Sequence, residues 1–508
     1  MLHYLRKIIP RPILSAYHKT LAVLAATVFG FPSEKMIIIG VTGTNGKSTT
    51  VSLIAKVLEA SGYKVGATST VLFKVAEREW LNDKKMTMLG RFQLQSLLRQ
   101  MNKAGCRYAV IETSSQGIEQ YRHLGINYDY VVFTNLTPEH IEAHAGFENY
   151  KRAKGKLFEH LTRRRRKLHD NLPPCPLPAN GKQAGGLGKE GEQIQKVSVV
   201  NVDDEHAEYF LQLKADKKVK FALKNENADF IARNVEISKN GTQFLINGEK
   251  INLKLIGEFN VYNALAAIAI GALEDLNFKQ IKSGLEGVKI VPGRMEFIDE
   301  GQPFDVLVDY APEPAAMGKL YGAIQKIKKS RNQENKKSRN QEIEEQEISA
   351  RPACRQAGAD SPMAKRNQEI TDKMHGEESF AKRIIHVLGS CGGGRDKARR
   401  PVLGKIAGEN ADIVIVTNED PYDDDPLEII NAVATGVVIA GKKENEDLFK
   451  IVDRREAIEK AIRLAKPDDL VLITGKGAEQ AMAMAGGKYI PWDDRKIVQE
   501  CLKHTLTK

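Results

Sequence analysis

The sequence predicts an α/β fold, with a parallel sheet in a central domain, a small antiparallel meander beside it and a second α/β domain at the C-terminal end. Two observations carry this prediction. An apolar run at residues 36–39 leads into a glycine-rich turn at 42–50 and a helix-like segment at 51–59. Short apolar runs at 108–112 and 130–134 each end in polar residues, as buried parallel strands do at the sheet edge where ligands bind.

The N-terminal residues, 1–35, are predicted to form a basic, amphipathic helical segment. Its apolar run, residues 21–31, is eleven residues long, which is too short to cross a bilayer. The segment would either pack on the core or rest on the inner face of a membrane. The cysteines show no C-x-x-C pair and no metal-site spacing, which is typical of the reducing cytoplasm. They are Cys106, Cys175, Cys354, Cys391 and Cys501.

The glycine-rich turn at 42–50 is the most specific element of the sequence. Its glycines let backbone N–H groups approach phosphate oxygens, and the N-terminus of the helix that follows adds positive partial charge. Lys47 would reach the outer phosphates of a nucleotide, and Ser48 would offer its hydroxyl to Mg²⁺. Val41 stands where the general phosphate-loop pattern has glycine, so the motif is a narrower variant. The predicted nucleotide contacts in this turn are Gly43, Thr44, Asn45, Gly46, Lys47, Ser48 and Thr49.

The central domain is predicted to span residues 36–288, with a flexible insertion at about 171–195 that is rich in Pro, Gly, Lys and Gln. Alternating segments within 234–255, joined through Asn-Gly dipeptides, predict the antiparallel meander. The alanine-rich stretch at 260–273 predicts a buried helix. The strand at 108–112 ends in Glu112 close to the phosphate loop, so a carboxylate there would hold Mg²⁺.

The C-terminal domain is predicted to span residues 289–508 as a Rossmann-like α/β unit. Low-complexity sequence interrupts it at about 327–381, where the heptapeptide at 328–334 recurs at 336–342. We expect this stretch to be a disordered surface insertion without a catalytic role.

The formal net charge of +11 raises the question of a nucleic-acid partner. Much of the positive excess lies in local runs, such as residues 163–167 and the lysines near 326–337, and aromatic residues are only 6% of the chain. No basic patch is interleaved with stacking residues. We therefore expect a solvated basic surface and no nucleic-acid partner.

Further motifs follow the phosphate loop in a fixed order. They lie at residues 111–115, 133–140, 150–158, 201–204, 257–266, 292–296, 308–311, 389–396 and 475–479. As a set they resemble the Mur ligases, most closely the tripeptide synthetases of peptidoglycan assembly. The resemblance covers about residues 36–508 outside the insertions.

The resemblance implies an ATP-dependent amide ligase that works through an acyl phosphate. It would add an amino acid, such as lysine or diaminopimelate, to UDP-N-acetylmuramoyl-L-Ala-D-Glu. Mg²⁺ and cationic side chains would neutralise the carboxylate and the triphosphate as they meet. ATP is the implied co-substrate, and we expect a cytoplasmic monomer.

The resemblance also assigns roles to single residues. His140 resembles the family histidine at the second Mg²⁺, although Glu139 precedes it where the family has Asp. Lys154 matches the lysine that CO₂ carbamylates, which would support Mg²⁺ together with Ser48, Glu112 and His140. Asn263, Arg294 and Asp309 resemble nucleotide contacts supplied across the domain junction. The expected catalytic residues are Lys47, Glu112, His140, Lys154 and Arg294.

The two other substrates have their own expected residues. Met88 and Leu89 replace part of a family Thr-Thr-Pro motif, and Gln116 replaces a histidine. The muramoyl dipeptide would contact Thr87, Ser114, Ser115, Gln120 and Arg122. The incoming amino acid would contact Arg395, Asp420, Tyr422, Gly475 and Glu479.

Three departures from the family pattern bear on the substrates. The family carries an N-terminal domain that holds uridine; since 39 residues precede Gly40, we expect that domain to be absent or reduced to a helix. Tyr422, followed by three aspartates at 423–425, replaces the arginine that pairs with diaminopimelate, which favours a cationic side chain such as that of lysine. Pro312 and Ala478 replace family histidines.

Alternative functions remain open from the sequence. One is a related ligase of the folylpolyglutamate or cyanophycin type, against which the Ser114-Ser115 pair and the Gly-Arg-Asp motif at 394–396 argue. Another is a non-catalytic Mur-like subunit of an amidotransferase complex, but a four-cysteine zinc ribbon is missing. A degenerate homologue is disfavoured because Lys47, Glu112, His140 and Lys154 are all present.

Overall fold

The computed structural model describes residues 10–139, 144–174, 191–331, 380–394 and 396–506. The N-terminal helix α1 spans Arg11–Val28 and precedes the central domain. It packs on helix α3, defined below, through a face that includes Ala22, Ala25 and Ala26. Within the described residues, no helix is long and apolar enough to cross a membrane.

The central domain is built on a nine-stranded sheet with helices on both faces. In spatial order its strands are β4-β3-β2-β5-β1-β6-β7-β8-β9, and every neighbouring pair is parallel except β2–β3 and β3–β4. The strands are β1 Ile37–Thr42, β2 Val65–Thr68, β3 Leu72–Val75, β4 Arg78–Leu81, β5 Tyr108–Glu112, β6 Tyr130–Phe133, β7 Val197–Asn201, β8 Lys217–Ala222 and β9 Phe230–Ile231. The helices are α2 Lys47–Ala60, α3 Arg91–Lys103, α4 Ser115–Glu119, α5 Phe147–Leu161 and α6 Ala207–Gln212.

The register of the central sheet places two functional segments side by side. Strand β1 lies between β5 and β6, with Val41 opposite Glu112 and Thr42 opposite Phe133. The phosphate loop that follows β1 and the carboxylate that ends β5 therefore meet at one edge of the sheet, as the apolar runs predict.

The meander forms a separate three-stranded antiparallel sheet of β10 to β12. Helices α7 and α8 follow it, and α7 packs on α2 beneath the phosphate loop. The capping box of α8 joins Asn277 and Gln280. These elements are β10 Arg233–Ser238, β11 Gly241–Ile246, β12 Glu249–Leu253, α7 Glu258–Leu273 and α8 Phe278–Glu286.

The C-terminal domain contains a six-stranded sheet in the order β13-β14-β18-β15-β16-β17, parallel except for β13. A two-stranded ribbon, β19–β20, adjoins it. The strands are β13 Glu296–Phe297, β14 Asp305–Asp309, β15 Ile384–Leu388, β16 Ile413–Thr417, β17 Leu448–Ile451, β18 Leu470–Thr474, β19 Ala481–Ala483 and β20 Tyr489–Pro491. The helices are α9 at residues 314–331, α10 Arg399–Asn410, α11 Pro426–Ile439, α12 Arg454–Leu464 and α13 Asp494–Leu506.

The predicted α/β fold class, with its parallel central sheet, meander and second α/β domain, is confirmed. The predicted insertions fall mostly on residues 175–190 and 332–379, which lie outside the described residues. The predicted start of the second insertion, at 327, falls inside α9. Ile327 is buried in the C-terminal core, which explains why the helix continues through residue 331.

Candidate active site

A cleft of about 510 Å³ lies between the two domains. The central domain contributes the phosphate loop, the end of β5 and the start of α7 to its lining. The C-terminal domain contributes the segments that follow β14, β15, β16 and β18. The carboxyl edges of both sheets thus face one space, which is where α/β proteins bind their ligands.

The phosphate loop is shaped by two glycines in backbone conformations that disfavour other residues. Gly43 has φ +151° and Gly46 has φ +83°. A Cβ on Gly43 would lie 2.0 Å from the Thr134 hydroxyl, and a Cβ on Gly46 would lie 2.3 Å from the Asn263 side-chain oxygen. Lys47 begins α2 and its Nζ donates to the Thr44 carbonyl at 2.7 Å. The loop presents backbone N–H groups at a helix N-terminus, which suits a phosphate.

Glu112 and Ser48 form a pair that suits a hard cation. The Glu112 side chain is buried, and its Oε2 accepts a hydrogen bond from Ser48 Oγ at 2.7 Å. Thr70 donates to the same carboxylate from its backbone N–H and its hydroxyl. A carboxylate beside a hydroxyl at the phosphate loop is a donor set of the kind that Mg²⁺ prefers. Glu112 and Ser48 therefore fit a magnesium ion, which would supply positive charge beside the phosphate loop.

Lys154 reaches the phosphate loop from α5. Its Nζ is buried and donates to the Gly43 carbonyl at 2.7 Å, above the Tyr150 ring at 4.4 Å. Burial and the nearby Lys47 ammonium lower the pKa of Lys154 well below its ordinary value. Its neighbour Glu139 is also buried and accepts from the Asn45 amide at 3.1 Å, and burial raises the Glu139 pKa. The predicted metal ligand His140 lies outside the described residues.

The remaining predicted nucleotide contacts come from both domains. Asn263, on α7, accepts from Thr50 Oγ1 at 3.1 Å. Asp309 ends β14, where its carboxylate accepts from the backbone N–H of Met295 at 2.7 Å, and burial raises its pKa. The Arg294 guanidinium lies over the Tyr310 ring, 4.2 Å from the ring centre. The structure brings Asn263, Arg294 and Asp309 to the same cleft as the phosphate loop.

The predicted amino-acid site contains a compact group of opposite charges. Asp420 accepts from the buried Lys476 ammonium through both oxygens at 3.1 Å, and Glu479 accepts from it at 2.5 Å. Burial alone would lower the pKa of Lys476, but the two carboxylates raise it above its ordinary value. A second cation, Lys85 from the central domain, also pairs with Asp420 and lies 3.8 Å from Glu479. Burial, with the adjacent Lys476, lowers the pKa of Lys85.

Gly475 and Tyr422 are the other described residues expected at the amino-acid site. Gly475 has φ +112°, and a Cβ there would lie 2.4 Å from Glu419 Oε2. Glu419 is buried, burial raises its pKa, and Cys391 donates its thiol hydrogen to it at 2.9 Å. Among the described residues, Cys391, Glu419 and Asp420 are close enough to hold a metal ion. Since Lys476 and Lys85 already neutralise Asp420, we assign no metal there.

The three aspartates after Tyr422 are engaged in local structure. Asp423 accepts from the backbone N–H of Gly486, Asp424 pairs with Arg400 at 3.2 Å, and Asp425 caps α11. The interpretation that these acids select a cationic acceptor is therefore not supported, because each has a local partner. The predicted residue Arg395 lies outside the described residues.

The expected dipeptide-binding residues divide into two groups. Thr87, Ser114 and Ser115 line the cleft. Ser115 Oγ lies 3.1 Å from Nε2 of His144, whose Nδ1 lies 3.2 Å from Glu119. The other two residues, Gln120 and Arg122, do not line it. They are hydrogen-bonded to each other at 2.7 Å, and Arg122 also donates to the Met88 carbonyl.

Several residues of the cleft are not among the site residues expected from the sequence. Lys85 belongs to a Lys-Lys pair that is typical of a solvated loop, yet its ammonium enters the C-terminal domain's site from a left-handed turn (φ 50°). Glu313 replaces a residue of a family motif and pairs with the buried Arg399. Other cleft residues not anticipated as site residues are Thr70, Asn135, Glu139, Asp203, Asp204, Asn260, Tyr262 and Tyr310.

The chain is similar in sequence to known proteins. The Mur ligase middle domain matches residues 41–168 and 187–271, and the Mur ligase glutamate ligase domain matches residues 370–477. A UDP-N-acetylmuramyl-tripeptide synthetase of Roseiflexus sp. (strain RS-1) is 35% identical over 490 residues, covering 95% of this chain and 81% of that protein. A UDP-N-acetylmuramoyl-L-alanyl-D-glutamate--2,6-diaminopimelate ligase of Halalkalibacterium halodurans is 30% identical over 503 residues, covering 98% and 85%.

Solved structures show the same fold. A UDP-N-acetylmuramoyl-L-alanyl-D-glutamate--2,6-diaminopimelate ligase is 24% identical with a TM-score of 0.53, covering 93% of this chain and 79% of that one. A Mycobacterium tuberculosis folylpolyglutamate synthase complexed with ADP is 16% identical with a TM-score of 0.59, covering 96% and 94%.

The fold, the cleft and these likenesses define a class, that of the ATP-dependent ligases that form amide bonds. This chain belongs to the Mur ligase family, which generally uses ATP and Mg²⁺. The resemblance seen in the sequence motifs and the prediction of an enzyme are confirmed.

Proposed function

We propose that this chain is a cytoplasmic peptidoglycan ligase that adds a diamino acid, such as lysine or diaminopimelate, to UDP-N-acetylmuramoyl-L-Ala-D-Glu. One observation carries the proposal: a single cleft is lined both by the phosphate loop and by Asp420 and Glu479 of the second domain. The names of the two relatives, a tripeptide synthetase and a ligase acting on an alanyl-glutamate precursor, support UDP-N-acetylmuramoyl-L-Ala-D-Glu as the donor.

The proposed reaction has two steps. The free carboxylate of the dipeptide attacks the γ-phosphoryl group of ATP, which gives an acyl phosphate and ADP. The amine of the acceptor then attacks the acyl carbon through a tetrahedral intermediate, and inorganic phosphate leaves. Bound Mg²⁺ would neutralise charge between the two anions. In this scheme Glu112 and Ser48 hold the metal, Lys47 contacts the outer phosphates and Arg294 adds a guanidinium at the phosphates.

The acceptor would bind at the charged group of the C-terminal domain. Asp420 and Glu479 are the carboxylates available to its ammonium groups, and Arg395 would take its carboxylate. The Lys85 ammonium already contacts these acids, so an ammonium group of the entering acceptor would displace that of Lys85.

We also propose that Lys154 is carbamylated. Carbamylation needs an uncharged amine, and the buried Nζ beside Gly43 has a lowered pKa. The carbamate would place a negative charge where the amine stood and support the metal. With ¹³C-labelled bicarbonate, NMR should show a carbamate carbon in the wild type and none in Lys154→Arg. The same spectrum from both proteins would contradict this assignment.

The main experiment measures ATP-dependent phosphate release with UDP-N-acetylmuramoyl-L-Ala-D-Glu and a panel of lysine, ornithine and diaminopimelate. We expect turnover with at least one of the three and a product whose mass equals donor plus amino acid minus water. No release with any member of the panel would overturn the proposal.

Two controls make the assay specific. UDP-N-acetylmuramoyl-L-Ala, which lacks the glutamate, should not be extended, because the reacting carboxylate is then misplaced by one residue. Lys47→Ala should remove phosphate release with every acceptor, since it deletes the cation at the outer phosphates. Equal turnover of both donors would place the substrate outside the proposed class.

A further inference from the structure

Helix α1 has an arrangement of apolar side chains that is unusual for a globular surface helix. Its inward face is made of small residues, since Ala22, Ala25 and Ala26 are buried. Its outward face carries larger ones: the exposed fractions are 61% for Ile13, 57% for Tyr17, 48% for Leu24 and 56% for Val28. These four residues are spaced by four, seven and four positions, so they form one stripe along the helix.

The inward packing of α1 is close enough to fix the orientation of this stripe. The turn after α4 approaches the helix directly, because a Cβ on Gly125 would lie 2.9 Å from the Ala22 carbonyl and 3.0 Å from the Ala26 Cβ. The Ser15 hydroxyl accepts from Tyr121 at 3.4 Å. A contiguous exposed apolar stripe of this kind marks an interaction surface.

Positive charge surrounds the stripe. Within α1 there is no acidic residue, and Lys19 lies over the Tyr121 ring at 5.0 Å. The arginine run after α5 adjoins the same turn: Arg164 donates to the Leu124 carbonyl, and Arg165 lies 3.9 Å from Glu34. The side chains of Arg163 and Arg165 are 69% and 83% exposed.

A second cleft of about 600 Å³ extends this basic region. It lies at the amino ends of β7 and β8, the opposite sheet edge from the phosphate loop. Its lining carries six cations and one acid: Arg164, Arg165, Arg166, Lys196, Lys214 and Lys218, with Asp216. Asp216 pairs with Arg166, and the buried Lys196 pairs with Asp129. Arg164, Arg165, Lys214 and Lys218 keep the region positive.

We propose that the α1 stripe and the arginine run 163–166 together form a docking face for an anionic lipid surface. Large apolar side chains inserted at the level of the headgroups, flanked by cations, are what binds a protein to such a membrane. The arginine run lies at the sheet edge opposite the phosphate loop, and none of the four stripe residues lines the active-site cleft, so a docked chain would keep that cleft open to solution. A second copy of this chain is disfavoured, because a two-fold contact would set the arginine runs of both copies side by side.

The test is sedimentation of the full chain with vesicles, read out without ligase activity. The protein should co-sediment with vesicles of phosphatidylcholine mixed with phosphatidylglycerol. Much less protein should co-sediment with vesicles of phosphatidylcholine alone. Leu24→Glu with Val28→Glu should abolish binding. Arg163→Gln with Arg165→Gln should weaken it about tenfold or more, as expected from the attraction of each cation to an anionic surface. Binding should fall with added salt.

Matched controls distinguish binding through this docking face from non-specific binding to lipid. Val438→Glu with Ile439→Glu alters two apolar residues on α11 that are 52% and 67% exposed. Arg463 is 63% exposed and pairs with a glutamate four positions earlier, as Arg163 does. The α11 pair and Arg463→Gln should both leave vesicle binding unchanged.

Three results would overturn the proposal. One is wild-type protein that stays in solution with anionic vesicles, and another is an equal loss of binding in the α11 control. The third is a wild-type dimer in analytical ultracentrifugation that becomes a monomer in the Leu24→Glu, Val28→Glu variant, combined with no vesicle binding by either protein. Phosphate release in the absence of lipid should be the same for the wild type and this variant.

Discussion

The Glu112 carboxylate joins three segments at the phosphate loop through hydrogen bonds from Ser48 and Thr70. Glu112→Gln keeps the shape of the side chain but replaces one carboxylate oxygen by an NH₂ group, which repels a cation. We expect kcat/KM to fall about 100-fold or more, since even changes around a metal site cost 10–100-fold. The half-saturating Mg²⁺ concentration should rise as well. Both follow from phosphate-release assays over a Mg²⁺ titration.

A control for this substitution lies at the end of α7, beside the first residue of β5. Glu274 is buried, accepts from the Tyr108 hydroxyl at 2.6 Å and has a pKa raised by burial. It lies outside the cleft residues. Glu274→Gln therefore keeps a hydrogen-bond acceptor for Tyr108 in place and should leave kcat/KM and the Mg²⁺ requirement unchanged. A Glu112→Gln variant with the activity of Glu274→Gln would remove Glu112 from the metal site.

His386 is a buried neutral group whose protonation opposes folding. Its ring nitrogens lie 2.8 Å from the Tyr321 hydroxyl and 2.9 Å from the Thr474 hydroxyl. Burial, with nearby Arg454, lowers its pKa from 6.5 to about 3. Between those values the unfolded chain binds a proton that the folded chain does not. This histidine should therefore reduce the free energy of unfolding by about 1.4 kcal/mol per pH unit as pH falls below about 6.5.

His386→Gln should remove that part of the pH dependence. Urea unfolding between pH 7 and 5 measures it, with Trp80→Phe as the background so that Trp492 reports on the C-terminal domain. Identical slopes for His386→Gln and the background would contradict the buried neutral state.

At the scale of elements, the packing of α10 against α11 depends on two glycines. A Cβ on Gly404 would lie 1.9 Å from the Val433 carbonyl, and one on Gly436 would lie 1.9 Å from the Pro401 carbonyl. Gly404→Ala should therefore force the helices apart and lower the free energy of unfolding by about 1–3 kcal/mol. Denaturant unfolding followed by Trp492 fluorescence measures this loss.

The matched control for Gly404→Ala has the opposite expected sign. Gly318 lies within α9 and a Cβ there would meet nothing within 4 Å. Gly318→Ala should stabilise the same domain by about 0.5–1 kcal/mol, because alanine loses less backbone entropy than glycine. Equal effects of the two substitutions would show that helix propensity, rather than the contact between α10 and α11, sets the response.

Strands and helices with strong local patterns could be predicted from the sequence, and contacts between distant segments could not. The apolar run at 108–112 gave β5 with Glu112 at its end, because period and burial are local properties. Lys85 had no such signal, since its position depends on how the two domains meet. The aspartates at 423–425 show a related limit: composition records their charge but not the local partners that engage it.

At the scale of the whole molecule, the candidate active site is built from two sheets whose carboxyl edges face each other. Each sheet alone holds half of the site: the phosphate loop and Glu112 on one, Asp420 and Glu479 on the other. The ion pair of Lys85 with Asp420 crosses between them. The sequence order of the motifs predicts both halves, and their meeting in one cleft is a property of the folded chain.

The segment between α9 and β15 should be dispensable for this arrangement. Its flanks are adjacent, because Lys328 Nζ donates to the Ala381 carbonyl at 3.0 Å. Replacing residues 332–379 by six Gly and Ser residues should keep phosphate release at the wild-type level. The free energy of unfolding should stay the same or rise by about 1–2 kcal/mol, since a shorter connection costs less entropy to close.

The contrasting variant is Phe380→Ala, which empties a buried site beside Phe297 and should lower the free energy of unfolding by about 3–5 kcal/mol. Loss of phosphate release in the shortened chain, with its unfolding free energy unchanged, would assign residues 332–379 a part in the reaction that their repetitive polar sequence does not suggest.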